Sequence, residues 1–295
     1  KLAACLEKLS FADEIVVVDT GSTDSTVDVA RQYGAVMGAF EWCDDFAAAR
    51  NESLRLATGD WIMWLDADDV LPAEYHAPIR KLVSGSQDRG YFFVLDDQGY
   101  ESVSCLQMRL FPNVEGIEFE MPIHEQVTPS LGRLGIDMQP TDIRVVHTGY
   151  TTPDVVREKK DRYLGIIERW LRTHPGDYIV RSHACLTYHT TGRFDEAVAG
   201  YRYIIEQTNC LADHNYVVYT TSLLFLGRTY LKMGRVEDAM EWIGKAHEFD
   251  ADYVLSRFSM AEVNLAAGNW EQAAQAARSV ITGDMQLTFF PIDQQ

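Results

Sequence analysis

From about Pro153 onward the sequence carries no strand signal and writes one short pattern three times, which commits the second half to stacked helix pairs. The copies are "GRFDEAVAGY" at Gly192, "GRVEDAMEWI" at Gly234 and "GNWEQAAQAA" at Gly268. Each has an acidic residue three positions after the glycine and an alanine five after it: Ala197, Ala239 and Ala273. The intervals are 42 and 34 residues, and the extra positions of the first fall near the turn-like "TNCLADHN" (208–215).

The first half has another texture. "EIVVVD" (Glu14 to Asp19) is an apolar run ending in an acid; "TGSTDSTVDVARQYG" follows, with Ser, Thr and Asp as N-caps and Gly34 as a stop. "AVMGAF" reads as the next strand, "DDFAAARNESLRLATG" as a capped helix closing at Gly59, and "WIMWL" as a third strand. Strands that alternate with helices imply parallel pairing, and strands apolar on both faces imply a sheet covered on both sides. The predicted architecture is an α/β domain with a mixed, mainly parallel sheet over residues 1–152, a linking helix over 153–175 and an all-α solenoid over 176–295.

Composition excludes several classes of function. The net charge is −18, from 26 basic and 44 acidic residues, so neither nucleic acid nor an anionic membrane surface is expected as a partner. No apolar run approaches the ~20 residues of a membrane span. Cys5, Cys43, Cys105, Cys185 and Cys210 are scattered and form no C-x-x-C pair. That usage fits a reducing compartment, and a cytoplasmic location is expected.

The densest acidic feature is "WIMWLDADDV" (Trp61 to Val70), where an apolar strand runs into Asp66, Asp68 and Asp69. Alone, it is equally an acidic turn capping the helix near Pro72. An EF-hand starting at Asp66 fails, because its glycine position holds Leu71 and its closing glutamate position holds Ala77. Residues two apart in an extended segment point the same way, so Asp66 and Asp68 can address one spot at the carboxyl end of the strand. Two hard carboxylates there suit Mn²⁺ or Mg²⁺ shared with a substrate phosphate, and Asp19 ends another strand of the same domain.

These stretches together resemble the glycosyltransferases of family 2, whose nucleotide-sugar-binding fold is called GT-A. "VVVDTGSTDST" (Val16 to Thr26) is similar to the family's first donor-binding motif, and "AAARNESLRLATGDWIMWLDADD" (Ala47 to Asp69) to its second. "QMRLFPN", "PIHEQV" and "VVHTGY" resemble later landmarks of a bacterial subgroup in which that domain is fused to tetratricopeptide repeats. The 34-residue interval is the period of that repeat, and "LGRTYLKMG" places Leu226, Gly227 and Tyr230 where it expects them. The subgroup includes peptide and lipopolysaccharide-core sugar transferases. The family's domain opens with a strand and a nucleotide-contacting loop, whereas this sequence starts inside the helix that ends "LAACLEKL", so a first strand is expected ahead of Lys1.

The resemblance implies a metal-dependent, inverting hexosyltransferase that takes a UDP-sugar and modifies a peptide, protein or glycan acceptor. It implies Asp19, Asp24, Arg50, Asn51, Asp66 and Arg109 as donor-binding residues, and Asp68, Asp66 and His147 as holders of Mn²⁺ or Mg²⁺. Glu125 is expected as the catalytic base, with His124 beside it as a further catalytic or orienting residue. Homo-oligomerisation through the repeats is a further expectation. Two other functions compete: a non-catalytic peptide-binding adaptor with a degenerate transferase domain, and a sugar nucleotidyltransferase.

Overall fold

The computed structural model describes residues 1–97, 104–148, 153–208 and 213–281 of the 295. The chain divides into two compact units, one built on residues 1–159 and the other beginning at Lys160. Residues 209–212 of the "TNCLADHN" insertion, Cys210 among them, fall outside the described residues, as does the end of "VVHTGY" at Tyr150. Among the described residues no helix is long and apolar enough to cross a membrane.

In the first unit the chain runs α1 (Leu2–Glu7), β1 (Val16–Asp19), α2 (Thr26–Gln32), β2 (Val36–Ala39), α3 (Phe46–Leu56), β3 (Trp61–Met63), β4 (Asp69–Val70), α4 (His76–Val83), β5 (Arg89–Asp97), β6 (Ser104–Pro112), α5 (Thr128–Arg133) and β7 (Asp137–His147). β1 and β2 pair in parallel, and the other five strands form a sheet in the order β3-β6-β5-β7-β4. The sheet is mixed but not mainly parallel: β5 and β7 run parallel, whereas β3–β6, β5–β6 and β4–β7 are antiparallel. Only residues 98–103 separate β5 from β6, too few for the crossover that a parallel pair needs.

Alternation along β5 separates two cores. Phe92 and Val94 pack with Leu106, Met108, Phe111 and Phe119, while Tyr91 and Phe93 pack with Leu110, Ile143, Val145 and the α1 residues Cys5 and Leu6. Burial of both sheet faces is why these strands read as unbroken apolar runs. α3 starts where Asp45 accepts the Ala48 amide at 2.9 Å and ends at Leu56, three residues before the expected glycine stop.

The second unit is helical: α6 (Pro153–Thr173), α7 (Tyr178–Thr190), α8 (Phe194–Gln207), α9 (Asp213–Lys232), α10 (Val236–Phe249), α11 (Val254–Ala266) and α12 (Trp270–Ile281). The repeat glycines close α7, α9 and α11 at φ of 79°, 75° and 77°. After each, the next amide reaches back five residues: Arg193 to Tyr188, Arg235 to Tyr230 and Asn269 to Asn264. That is the Schellman closure, whose left-handed position favours a residue without a Cβ. Ala197, Ala239 and Ala273 are buried early in the following helix. A methyl at Gly227 would lie 2.8 Å from the Ile243 backbone nitrogen, so α9 and α10 approach as closely as they do only because that residue is glycine.

Candidate active site

Asp66, Asp68 and Asp69 gather where β3 and β7 end and β4 begins. The chain leaves β3 at Met63, passes Trp64 and returns to the sheet at Asp69, which faces His147 across the antiparallel β4–β7 pair. Asp69 is fully buried and acts as a hub. Its Oδ1 lies 2.8 Å from His147 Nδ1, and its Oδ2 accepts from Arg109 Nη1 and from the Asp66 amide, both at 2.8 Å.

Asp66 lies at the same spot. Its Oδ1 accepts from Arg50 Nη2 at 2.8 Å, and its Oδ2 is 4.0 Å from Arg109 Nη2. Burial works against the Asp66 carboxylate, but the Arg50 and Arg109 guanidinium groups outweigh it and bring its pKa down to about 2. Asp68 is partly exposed; its Oδ1 is 3.7 Å from His147 Nδ1, its Oδ2 meets Lys1 Nζ at 3.4 Å, and its carbonyl accepts the Thr148 amide and hydroxyl. Burial disfavours the His147 imidazolium, yet the Asp69 hydrogen bond and the charges of Asp68, Asp69 and Asp66 raise its pKa.

Arg50 projects from α3 and ties two parts of the site together, donating through Nε to Glu125 Oε1 and through Nη2 to Asp66. Trp64 lies between two cations, with Arg50 Cζ 4.0 Å and Arg109 Cζ 3.8 Å from its ring centre. Glu125 sits in a loop closed by the reciprocal Glu120–Gln126 hydrogen bonds and held to α3 by the Phe46 amide on the Pro122 carbonyl. Met121 and His124 in that loop have φ of 74° and 53°, a conformation that non-glycine residues adopt only when their surroundings impose it. A small cavity of about 20 Å³, room for one water, opens beside Glu125 and is lined by Trp64, Gln107, Met108 and Phe119.

Asp66, Asp68, His147, Arg50 and Glu125 are thus brought into one neighbourhood. Asp19 ends β1, where it accepts the Gly21 and Ser22 amides; the Ser22 hydroxyl and these amides hold its pKa below the usual carboxylate range. Asp24 is exposed and accepts the Thr26 amide at 3.0 Å, in the turn just ahead of α2. Two expected donor-binding residues, Arg109 and Asn51, bond other parts of the protein. Arg109 is 1% exposed beneath the acids, where it neutralises Asp69 and donates to the Trp64 carbonyl. Both amide atoms of Asn51 bond the Phe119 backbone, at 2.9 and 2.7 Å, which ties α3 to the segment leading into the Glu125 loop. Asp69 and Trp64 are the residues that reading motif by motif overlooked; the signal for Asp69 was the extra acid in "DADD", which two-residue spacing discarded.

The donor set fits a divalent cation. Asp66, Asp69 and His147 offer atoms within 4.8 Å of one another, but both Asp69 oxygens are committed to internal partners. Asp68, whose Oδ1 lies 3.7 Å from His147 Nδ1, stands beside this group, and hard carboxylates with one borderline nitrogen suit Mn²⁺ or Mg²⁺.

Cys5 provides a check on this electrostatic picture. Its thiol donates to the Asp66 carbonyl at 3.6 Å, and burial together with Asp69, Asp66 and Asp68 pushes its pKa up to about 12. Iodoacetamide at pH 8 is therefore expected to label the exposed Cys43 and to spare Cys5, Cys105 and Cys185 until the protein is denatured, as read by peptide mass mapping. Labelling of Cys5 as fast as Cys43 would mean that α1 does not cover the acids.

Residues 1–133 match the family model described as glycosyl transferase family 2. A TPR repeat-containing protein of Synechococcus elongatus is 34% identical over 187 residues, which are 60% of this chain and 46% of the relative. The SPbeta prophage-derived glycosyltransferase SunS of Bacillus subtilis is 28% identical over 169 residues, 55% of this chain and 40% of the relative. The chain thus spans less than half the length of both curated relatives. Among solved structures, S. aureus TarS residues 1–349 in complex with UDP-GlcNAc aligns over 94% of this chain and 87% of its own at 11% identity, with a TM-score of 0.42.

Proposed function

We propose, from the premise that residues 1–133 form a glycosyl transferase family 2 domain, that this chain is a metal-dependent inverting transferase moving a hexose from a UDP-sugar to a peptide, protein or glycan hydroxyl. The observation that carries the reading is the convergence of Asp66, Asp68 and His147 beside a carboxylate, Glu125, that Arg50 holds in the same frame. Asp66, Asp68 and His147 would hold the cation, which when bound supplies Lewis-acid stabilisation of the leaving diphosphate.

The remaining work falls to the chain's own side chains. Glu125 removes the acceptor proton: Arg50 engages its Oε1, and Oε2 is the oxygen left to take up a proton. Arg50 pairs with Glu125 and Asp66 at once, which fixes the distance between the proton acceptor and the donor site and lowers the entropic cost of alignment. His124 sets the loop backbone that presents Glu125. Asp19 and Asp24, at the mouth of β1, contact the nucleoside, and the helix-pair repeats present the acceptor along their concave face. Self-association through the repeats belongs to the same proposal.

Incubation with a panel of UDP-sugars and Mn²⁺, reading released UDP, tests this directly. At least one donor is expected to be turned over, EDTA is expected to stop release, and added Mn²⁺ to restore it. Release that EDTA leaves untouched would remove the cation from the reading, and no release from any donor would remove the transferase.

A further inference from the structure

The two arginines of the site share one aromatic side chain. The indole of Trp64 lies between Arg50 and Arg109, whose Cζ atoms stand 4.0 and 3.8 Å from its ring centre. The ring is itself fixed: Nε1 donates to the Met108 carbonyl at 2.6 Å, and the ring planes of Trp64 and Phe119 meet at 88°. Both guanidinium groups approach the same carboxylate, but on unequal terms. Arg50 Nη2 donates to Asp66 Oδ1 at 2.8 Å, whereas Arg109 Nη2 stops 4.0 Å from Oδ2.

That gap is beyond hydrogen-bond reach, and it leaves Oδ2 with no donor among the described residues. It also leaves Arg109 Nε and Nη2 buried without an acceptor among them, a cost that a guanidinium beside a carboxylate would relieve by closing the gap. Something holds Arg109 back. Its Nη1 is anchored to Asp69 and to the Trp64 carbonyl, and its flat face lies on the Trp64 ring, so tilting towards Asp66 would lift the cation off the indole.

We propose that Trp64 is a positioning residue: by carrying Arg50 on one face and Arg109 on the other, it keeps Arg109 from closing on Asp66, so that Oδ2 stays open to a divalent cation while Oδ1 stays with Arg50. This rests on the cation-site reading above. The competing role is packing alone, since Trp64 also lies against the core that holds Phe92 and Met108. Two substitutions separate the roles. Trp64→Phe loses the Nε1 bond to Met108 yet keeps a π face for each arginine, whereas Trp64→Leu keeps apolar bulk and offers no such face. In the leucine variant Arg109 is expected to move onto Asp66 Oδ2 and occupy the oxygen that the cation needs.

The test uses the full chain. Crystals grown without divalent cation are expected to show Arg109 Nη2 about 4 Å from Asp66 Oδ2 in the wild type and within about 3.2 Å of it in Trp64→Leu. Mn²⁺ affinity, measured by calorimetry, is expected to fall roughly 10- to 100-fold in Trp64→Leu, as when the partner behind a metal ligand is altered, and to stay within about threefold in Trp64→Phe. A wild-type crystal in which Arg109 already bonds Oδ2 overturns the proposal whether or not the variants fold. So does a wild type that binds no Mn²⁺, a folded Trp64→Leu protein whose gap or Mn²⁺ affinity matches the wild type, or a Trp64→Phe protein weakened as much as Trp64→Leu. A closed gap and a lost affinity in Trp64→Leu, with a wild type that cleaves no UDP-sugar, would overturn the transferase reading and leave Trp64's role standing.

Discussion

Glutamine in place of Glu125 is expected to lower kcat/KM for sugar transfer by roughly 10²- to 10⁴-fold, the range that loss of a general base produces. The substitution is conservative where the structure needs it to be. A glutamine carbonyl can still accept from Arg50 Nε, so the link from α3 to the loop survives, and Arg50 keeps Asp66 as its second partner. What disappears is an atom able to hold the acceptor's proton. Donor and cation binding do not depend on that atom, so calorimetric titration with UDP and Mn²⁺ is expected to match the wild type. A loss under about tenfold would move the base elsewhere. A parallel loss of UDP binding would mean that Glu125 serves the donor site through Arg50 and has no part in proton transfer.

The difference between Glu125 and its neighbours bears on how much of the site a sequence can reveal. Features written locally were readable: the runs that became β1, β2 and β3, the Asp45 cap, and the repeat glycines, whose left-handed conformation follows from their position after each helix. Features that depend on which strands lie side by side were not. Asp69 looked like a spare acid because its partner His147 is 78 positions away and meets it only through the β4–β7 register. The contacts of Arg109 were equally invisible: its place on β6 turns it inward against Asp69 and Trp64, which no local motif records. Asn51 shares a motif with Arg50 but not its direction, since adjacent residues of a helix do not face the same way. The mainly parallel sheet failed for the same reason: local alternation of strand and helix described β1 to β3 but could not see that β5 and β6 are joined by a short connection.

Arg109 carries the largest expected effect on stability. Arg109→Ala is predicted to destabilise the first unit by about 3–5 kcal/mol, the cost of breaking a buried ion pair by removing one partner. Its partner has no exit: Asp69 is fully buried, so the stranded carboxylate must remain charged in the interior or take up a proton. The Arg109 Nε and Nη2 groups make no hydrogen bond of their own, so the loss comes chiefly from Asp69 and from the guanidinium face against Trp64. In a unit of this size that shift corresponds to a fall of about 10 °C in its melting transition, measured by calorimetry on the full chain. Arg109→Lys keeps a charge for Asp69 but cannot lie flat on Trp64 or reach its carbonyl as well, and an intermediate loss is expected. A melting point within about 2 °C of the wild type for Arg109→Ala would show that Asp69 is held by something other than this pair.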